Sequence, residues 1–493
     1  MSLTATDGKV SIVSVQNTSQ TTSSHEQKKS GFTGGFSAGV ASIGYSKASG
    51  NSQDSVETVT QQGSSVASIN GNTRIQAGQA LSVVASDISA GNNLTLIGKS
   101  VDLSAAQNTS VEHGAQQSSS SGLSVGVTFN PLAAFKSAYQ QSASGNPSTS
   151  FMGRASKYGD AIGDGALAAS TPVVVQAGSR SASGSQDHAT SSAQVSSLTA
   201  GNNLTVLATG GSITSQGASM SAGGDATLIA KDSINLDVAH SFETQGQTNT
   251  AKGWSTDNRG SLPVGVFNSK GNGNGSTDTI RGTSLSAGGK AMLATTDGDI
   301  SLTAANLVAN SDLSINAARN LTIQSGQDTL TNANQNNSQA IGKVVISDTE
   351  RFAGYHSEKS KDNNTAITQV ASNVGSLQGN VSLSAGDKYT QTASNVLAKN
   401  DINIVAKSID INTAVNTGSS DQSSADLKIG AFARVTSPLI DLGNNIENAR
   451  KSDGRLQAMQ GLAAASNGYQ VASAVNALRG GAVSELTWAL LVA

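Results

Sequence analysis

Four features of this 493-residue chain have residue types that could do chemistry. The hexapeptide AGNNLT occurs at 90–95 and again at 200–205. Glycine beside amide and hydroxyl groups can cradle a phosphate, provided that a strand leads in and a helix leads out. Asp297 and Asp299 in TTDGDIS are the nearest carboxylate pair, as acid–base catalysis would need. GNGNGSTD at 271–278 resembles calcium-binding glycine repeats in composition. The five histidines, His25, His113, His188, His240 and His356, are potential ligands or proton carriers.

None of these assembles a site in the sequence. The histidines are far apart and lack HxH or HExxH spacing, which makes them solvated surface residues. Asp-Gly is ordinary turn chemistry, so the DGD stretch reads as a corner. GNGNGSTD lacks nonapeptide spacing and reads as a flexible loop. No GxSxG elbow or Walker loop occurs, and no helical pattern follows either AGNNLT. The chain has no cysteine, which excludes disulfides, thiolate metal sites and a cysteine nucleophile. No cofactor is implied. With a net charge of −3 and no basic run longer than Lys28–Lys29, no nucleic-acid partner is expected.

The elements that would position these residues are repeats. KSVDLSAAQNT at 99–109 lies over KSIDINTAVNT at 407–417, and NLVANSDLSI at 306–315 over NVLAKNDINI at 395–404. SAGNNLTL, TAGNNLTV, SAGGDATL, SAGGKAML and SAGDKYTQ begin at 89, 199, 221, 286 and 384. Inside each copy, aliphatics alternate at i and i+2, as in Leu204/Val206 and Leu313/Ile315, which marks a strand with one buried face. Short strands between Gly, Asn or Asp corners, returning about every 20 residues, describe turns of a parallel β-helix. Only 36% of residues are hydrophobic and 3% aromatic, which suits a thin core. Each buried aliphatic contributes roughly 1.5–3 kcal/mol, so one coil is stable only when neighbours stack on it. About nine to eleven coils at about 4.8 Å each predict a rod on the order of 45–50 Å long, with Asn and Thr ladders at its corners.

Polar excursions interrupt this rhythm at about 19–66, 110–195, 241–282, 329–379 and 418–436 within a rod domain over 1–443. Each has a short β-prone centre, such as GFSAGVASIGYS or GLSVGVTF, read as hairpin strands. Gln/Ser-rich flanks such as QQSSSSG at 116–122 are expected to be mobile. Nearly all aromatics fall in the excursions, Tyr389 being the main exception on the rod. Phe32, Phe36, Tyr45, Phe129, Phe135, Tyr139, Trp254, Phe267, Phe352 and Tyr355 are therefore the candidate partner-contact residues. Their other role would be to pack the hairpins onto the helix. Residues 444–493 form a C-terminal segment in which 446–465 and 469–478 have helical spacing.

The SAGNNLTL and SAGGDATL corners, the QNTS exits and the excursion SGFTGGFSAGVASIGYSKA resemble the haemagglutinin repeats of filamentous-haemagglutinin-like exoproteins. More narrowly, their rhythm over roughly 1–440 resembles the second repeat region of contact-dependent growth inhibition proteins. The resemblance implies an all-β fold, a right-handed parallel β-helix, with export through an outer-membrane two-partner transporter. It also implies residence at the bacterial surface and, during toxin delivery, association with a target-cell surface or outer membrane. MSLTATDGK has neither a charged nor an apolar leader region, so a targeting segment is expected upstream; the resemblance implies a secretion domain before these residues and a toxin region after them. The alternatives are a polysaccharide-processing β-helix enzyme, using a carboxylate such as Asp297, and a purely structural stalk.

Overall fold

The computed structural model describes residues 1–37, 40–128, 173–257, 265–345 and 350–434. Every regular element among them is a strand. Short strands recur in threes, for example Leu94–Gly98, Ser100–Ser104 and Ser197–Ala200, then Leu204–Ala208, Ile213–Gln216 and Ser219–Ala222. Each pairs in parallel with its counterpart one turn away: Leu204 lies between Leu94 and Ala226, and Leu198 between Ile88 and Met220. The result is a parallel β-helix of nine coils, whose first and third sheets hold nine and eight strands. Alternation explains the core. Leu94, Leu96, Leu204, Val206, Leu313 and Ile315 are fully buried in the first sheet, and Leu81, Leu103, Ile213 and Ile323 in the second. Tyr389 plugs the second sheet near its end, and its hydroxyl donates to Gln391 Oε1 at 2.8 Å. Burial pushes that phenol up to about 12.

Two polar ladders fix the corners. In most coils the residue before the first-sheet strand accepts, through its side-chain oxygen, the backbone N–H of its counterpart in the next coil; Lys290 breaks the column. Asn72 accepts from Asn93 at 3.1 Å, Asn93 from Asn203 at 3.2 Å, and Asn203 from Asp225 at 2.9 Å. The ladder resumes beyond with Asp312 to Asn380 and Asn380 to Asp401. The second ladder precedes the third-sheet strands, where Ser86, Ser196, Thr283 and Ser372 are buried. Ser372 Oγ donates to Gln324 O at 2.6 Å and accepts from Ala305 N at 3.0 Å. These hydroxyls satisfy backbone groups that the tight bend removes from the sheets.

The excursions leave every second coil, always between its second and third strands. They form nine long strands: β1 (Val15–Ser37), β2 (Val40–Gln62), β3 (Ala106–Thr128), β4 (Val173–Gln194), β5 (Ile234–Asp257), β6 (Gly265–Gly282), β7 (Gly326–Val345), β8 (Glu350–Val370) and β9 (Thr417–Arg434). Each pairs antiparallel with the next, making one fin that runs beside the rod. β5 shows the join. Its first residues pair in parallel with Ile213 and Ile300 in the rod, and from Val238 onward it pairs antiparallel in the fin. In the intervening coils the second strand turns straight into the third through a left-handed residue: Ala85 (φ 45°), Gly217 (65°), Ala304 (48°) or Ala393 (44°).

Two sequence readings change here. QQSSSSG at 116–122 is strand, paired on both sides with β2 and β4, because backbone ladders hold it where its side chains bury little. GNGNGSTD at 271–278 is strand within β6, not loop. Its alternate glycines leave room for amides from neighbouring strands: a Cβ on Gly271 or Gly273 would lie 2.4–2.5 Å from Asn249 or Asn334. The helices expected at 446–465 and 469–478 lie outside the described residues.

Candidate functional site

The titratable residues serve the scaffold. Asp299 accepts from Arg319 Nη2 at 3.2 Å and from both the backbone and side chain of Asn320 at 3.0 Å. Burial pushes its carboxyl up, but the Arg319 and Asn320 hydrogen bonds outweigh this and hold it below its ordinary value. Asp299 therefore favours the folded state above the usual carboxylate range, and that contribution is lost as the pH falls through its folded pKa. Asp297 sits in the same corner, where its backbone N–H donates to Lys231 O at 2.8 Å. The pair is a rod corner.

Four of the histidines join strands of the fin. His113 meets Asp187 at 2.7 Å, His188 meets Glu243 at 3.1 Å, His240 meets Asp278 at 2.9 Å and His356 meets Asp426 at 3.0 Å. His25 lies exposed on β1 opposite Ser52. Among the described residues, no three His, Asp or Glu side chains converge as metal ligands.

The register of the fin brings together what is dispersed in the chain. Residues directly opposite in an antiparallel pair share a face, so one row can be followed across all nine strands. Gly31, Ser46, Gly122, Gly178, Ser255, Gly265, Gly342, Gly354 and Gly430 form such a row. Every member is glycine or serine. The positions flanking this row point to the opposite face and carry Phe32, Tyr45, Leu123, Trp254, Val266, Ile341, Tyr355 and Ile429. Ile43, Val125 and Val127 extend this apolar belt toward the tip. Its side chains are exposed, from 42% at Val125 and 46% at Tyr45 to 83% at Phe32, except that Tyr355 is half-buried. Phe32 and Tyr45 pack edge to face at 5.3 Å.

The expected contact residues therefore divide. Phe32, Tyr45, Trp254 and Tyr355 share the belt. Phe267 lies on the Gly/Ser face, across from Gly253, with the Arg180 guanidinium 5.9 Å from its ring centre. Phe36 and Phe352 lie on β1 and β8, paired with Ala41 and Phe432 through the backbone. Phe129, Phe135 and Tyr139 lie outside the described residues. A sequence search for aromatics misses the aliphatic half of the belt, Leu123, Val125, Val266, Ile341 and Ile429. Period-two alternation with glycine in GLSVGVTF is the signal that marks them. A shallow groove of about 570 Å³ runs at this level, lined by Tyr45, Leu123, Gly178, Arg180, Trp254 and Phe267 among others.

With the geometry established, comparison with known proteins is specific. A family model described as hemagglutinin repeat matches residues 42–151, 177–341 and 353–460. "Toxin CdiA" of Yersinia pestis is 30% identical over 380 residues, which cover 73% of this chain and 11% of that protein. "Deoxyribonuclease CdiA" of Yersinia pseudotuberculosis is 29% identical over 403 residues, covering 76% of this chain and 36% of the relative. "Toxin CdiA" of Escherichia coli is 25% identical over 445 residues, 84% of this chain and 14% of the relative. The chain thus spans between about a tenth and a third of these relatives. No solved structure matches it.

Proposed function

The chain belongs to the haemagglutinin-repeat family, and from that premise we propose that it is a non-enzymatic repeat region of a secreted, cell-surface exoprotein of the contact-dependent inhibition type. Export uses an outer-membrane two-partner transporter. The rod is the scaffold, and the fin engages the surface of a target cell while toxin is delivered. The nuclease and toxin names of the relatives describe whole proteins of which this chain matches a minor part. One observation carries the reading: an exposed apolar belt is held about 55 Å from the rod, 17 strand residues beyond Val15, on a mostly polar stem. A stalk alone needs no such display.

The edge hairpin β1–β2 is the part to remove. Replacing residues 14–63 with a single Ala, so that Ala-Ser64 repeats the Ala85-Ser86 corner of the second coil, removes Phe32 and Tyr45 and leaves the rod's sheets continuous. With the chain displayed on bacteria, adhesion to target cells should fall at least about tenfold while the strand circular-dichroism signal of the purified rod persists. Undiminished adhesion would leave the stalk reading in its place.

A further inference from the structure

The belt is one face of a single-layer sheet, and nothing among the described residues packs over it. We propose that its partner is a second copy of this chain, two fins packing belt against belt with tips overlapping and rods pointing away from each other. This rests on the reading of the fin as a contact surface and names the partner of one of its faces.

Three properties point to a like partner. First, the belt tolerates meeting itself. A two-fold contact places each residue type near its own copy, so any charge would face a like charge. On β2 to β6 the belt carries Ile43, Tyr45, Leu123, Val125, Trp254 and Val266, and the nearest charges on that face, Lys47 and Lys252, each stand one belt position toward the rod. Second, β5 is the central strand of nine, and Trp254 and Thr256 stand on it in mid-belt. A two-fold axis through this point sets β5 on its own copy and places the largest aromatic at the centre, where contact energy concentrates. Third, the size suffices. Nine strands at about 4.8 Å by about 15 Å of strand give on the order of 600 Å² per copy. The two copies together bury about 1,200 Å², at the lower end of stable specific interfaces. Sheets packed face to face lie about 10 Å apart, within reach of these side chains. Such a pair leaves the opposite face, with Arg180 and Phe267, outward on both sides.

The full chain should sediment as a dimer at concentrations up to about 50 μM, and Trp254→Ser should weaken dimerisation at least about tenfold. The chain has no cysteine, so Thr256→Cys provides a second readout. Mild oxidation should cross-link it to a covalent dimer, whereas Ser120→Cys, on the other face of β3, should remain monomeric. A monomer throughout this range with no Thr256→Cys cross-link overturns the proposal. So does a monomer that floats with phosphatidylethanolamine vesicles through Trp254, which would make lipid the belt's partner. Loss of cell adhesion in the 14–63 replacement from a parent that is monomeric also overturns it, while leaving the proposed function standing.

Discussion

At the scale of single residues, small polar side chains do the most structural work. Ser372 follows the return of a hairpin to the rod and is fully buried. It accepts from Ala305 N–H, which no sheet partner reaches at that bend, and donates to Gln324 C=O, which also accepts from Ala304 N–H at 3.0 Å. Ser372→Ala leaves the Ala305 N–H buried without a partner, which costs about 1–3 kcal/mol, since an orphaned group loses its hydration as well. The midpoint of urea unfolding should drop accordingly, and an unshifted midpoint would remove the ladder from the account. Ser394→Ala, at the half-buried end of the same column, should cost less. AGNNLT belongs to this scale too. Its second Asn is a rung, and Gly201 packs so closely that a Cβ there would lie 2.1 Å from Gly91 O. The hexapeptide is a stacking corner; its glycine excludes a side chain and its amide joins coils.

At the scale of elements, the rule is commensurability. A hairpin adds two strands, and two coils rise by two strand spacings, so fin and rod stay in step only if every second coil carries a hairpin. Consecutive hairpins are then pinned at their bases. The outgoing strand offers an acceptor to a backbone N–H of the preceding returning strand: Asn108 to Gln61 at 2.6 Å, Ser241 to Ala193 at 3.1 Å, Asp328 to Ile280 at 2.8 Å and Asn416 to Gln369 at 2.7 Å. At the second QNTS the asparagine, Asn108, makes this junction. Asn108→Ala should raise amide exchange at Gln61 and its neighbours at least about tenfold, with no change near Leu123. Equal protection at Gln61 in both proteins would show that backbone pairing alone closes the junction. Elsewhere in the stem, hydroxyl pairs such as Ser183–Thr250 at 2.6 Å and Ser185–Thr248 at 2.7 Å take the place of apolar contacts.

At the scale of the molecule, rod and fin form one object whose exchangeable unit is two coils plus one hairpin. Deleting 226–312 removes one such unit and joins Asp225 to Leu313, which takes the place of its first-sheet equivalent Ala226. The shortened chain should melt cooperatively near the parent's midpoint, because each unit contacts only its neighbours. Deleting the single coil 291–312 brings two hairpins onto adjacent coils, and exchange protection between β6 and β7 should collapse. Retained protection would refute the matching rule. The rod was legible in the sequence because its signal is local: Leu204 and Val206 bury the same face two residues apart, and a coil returns within about 20 residues. The sequence also placed the aromatics of the belt in the excursions, since exclusion from so thin a core leaves them nowhere else. It could not show that QQSSSSG is strand, because serine and glutamine stretches carry no buried-face periodicity and are held by neighbours instead. Nor could it place Phe32, Trp254 and Tyr355 on one face with Phe267 on the other. That depends on pairing between strands up to about a hundred residues apart, where one step of register moves every side chain to the opposite side. Composition and period determined the β-helix. Only the assembled register decided that five dispersed excursions make one sheet with an apolar face and a glycine face.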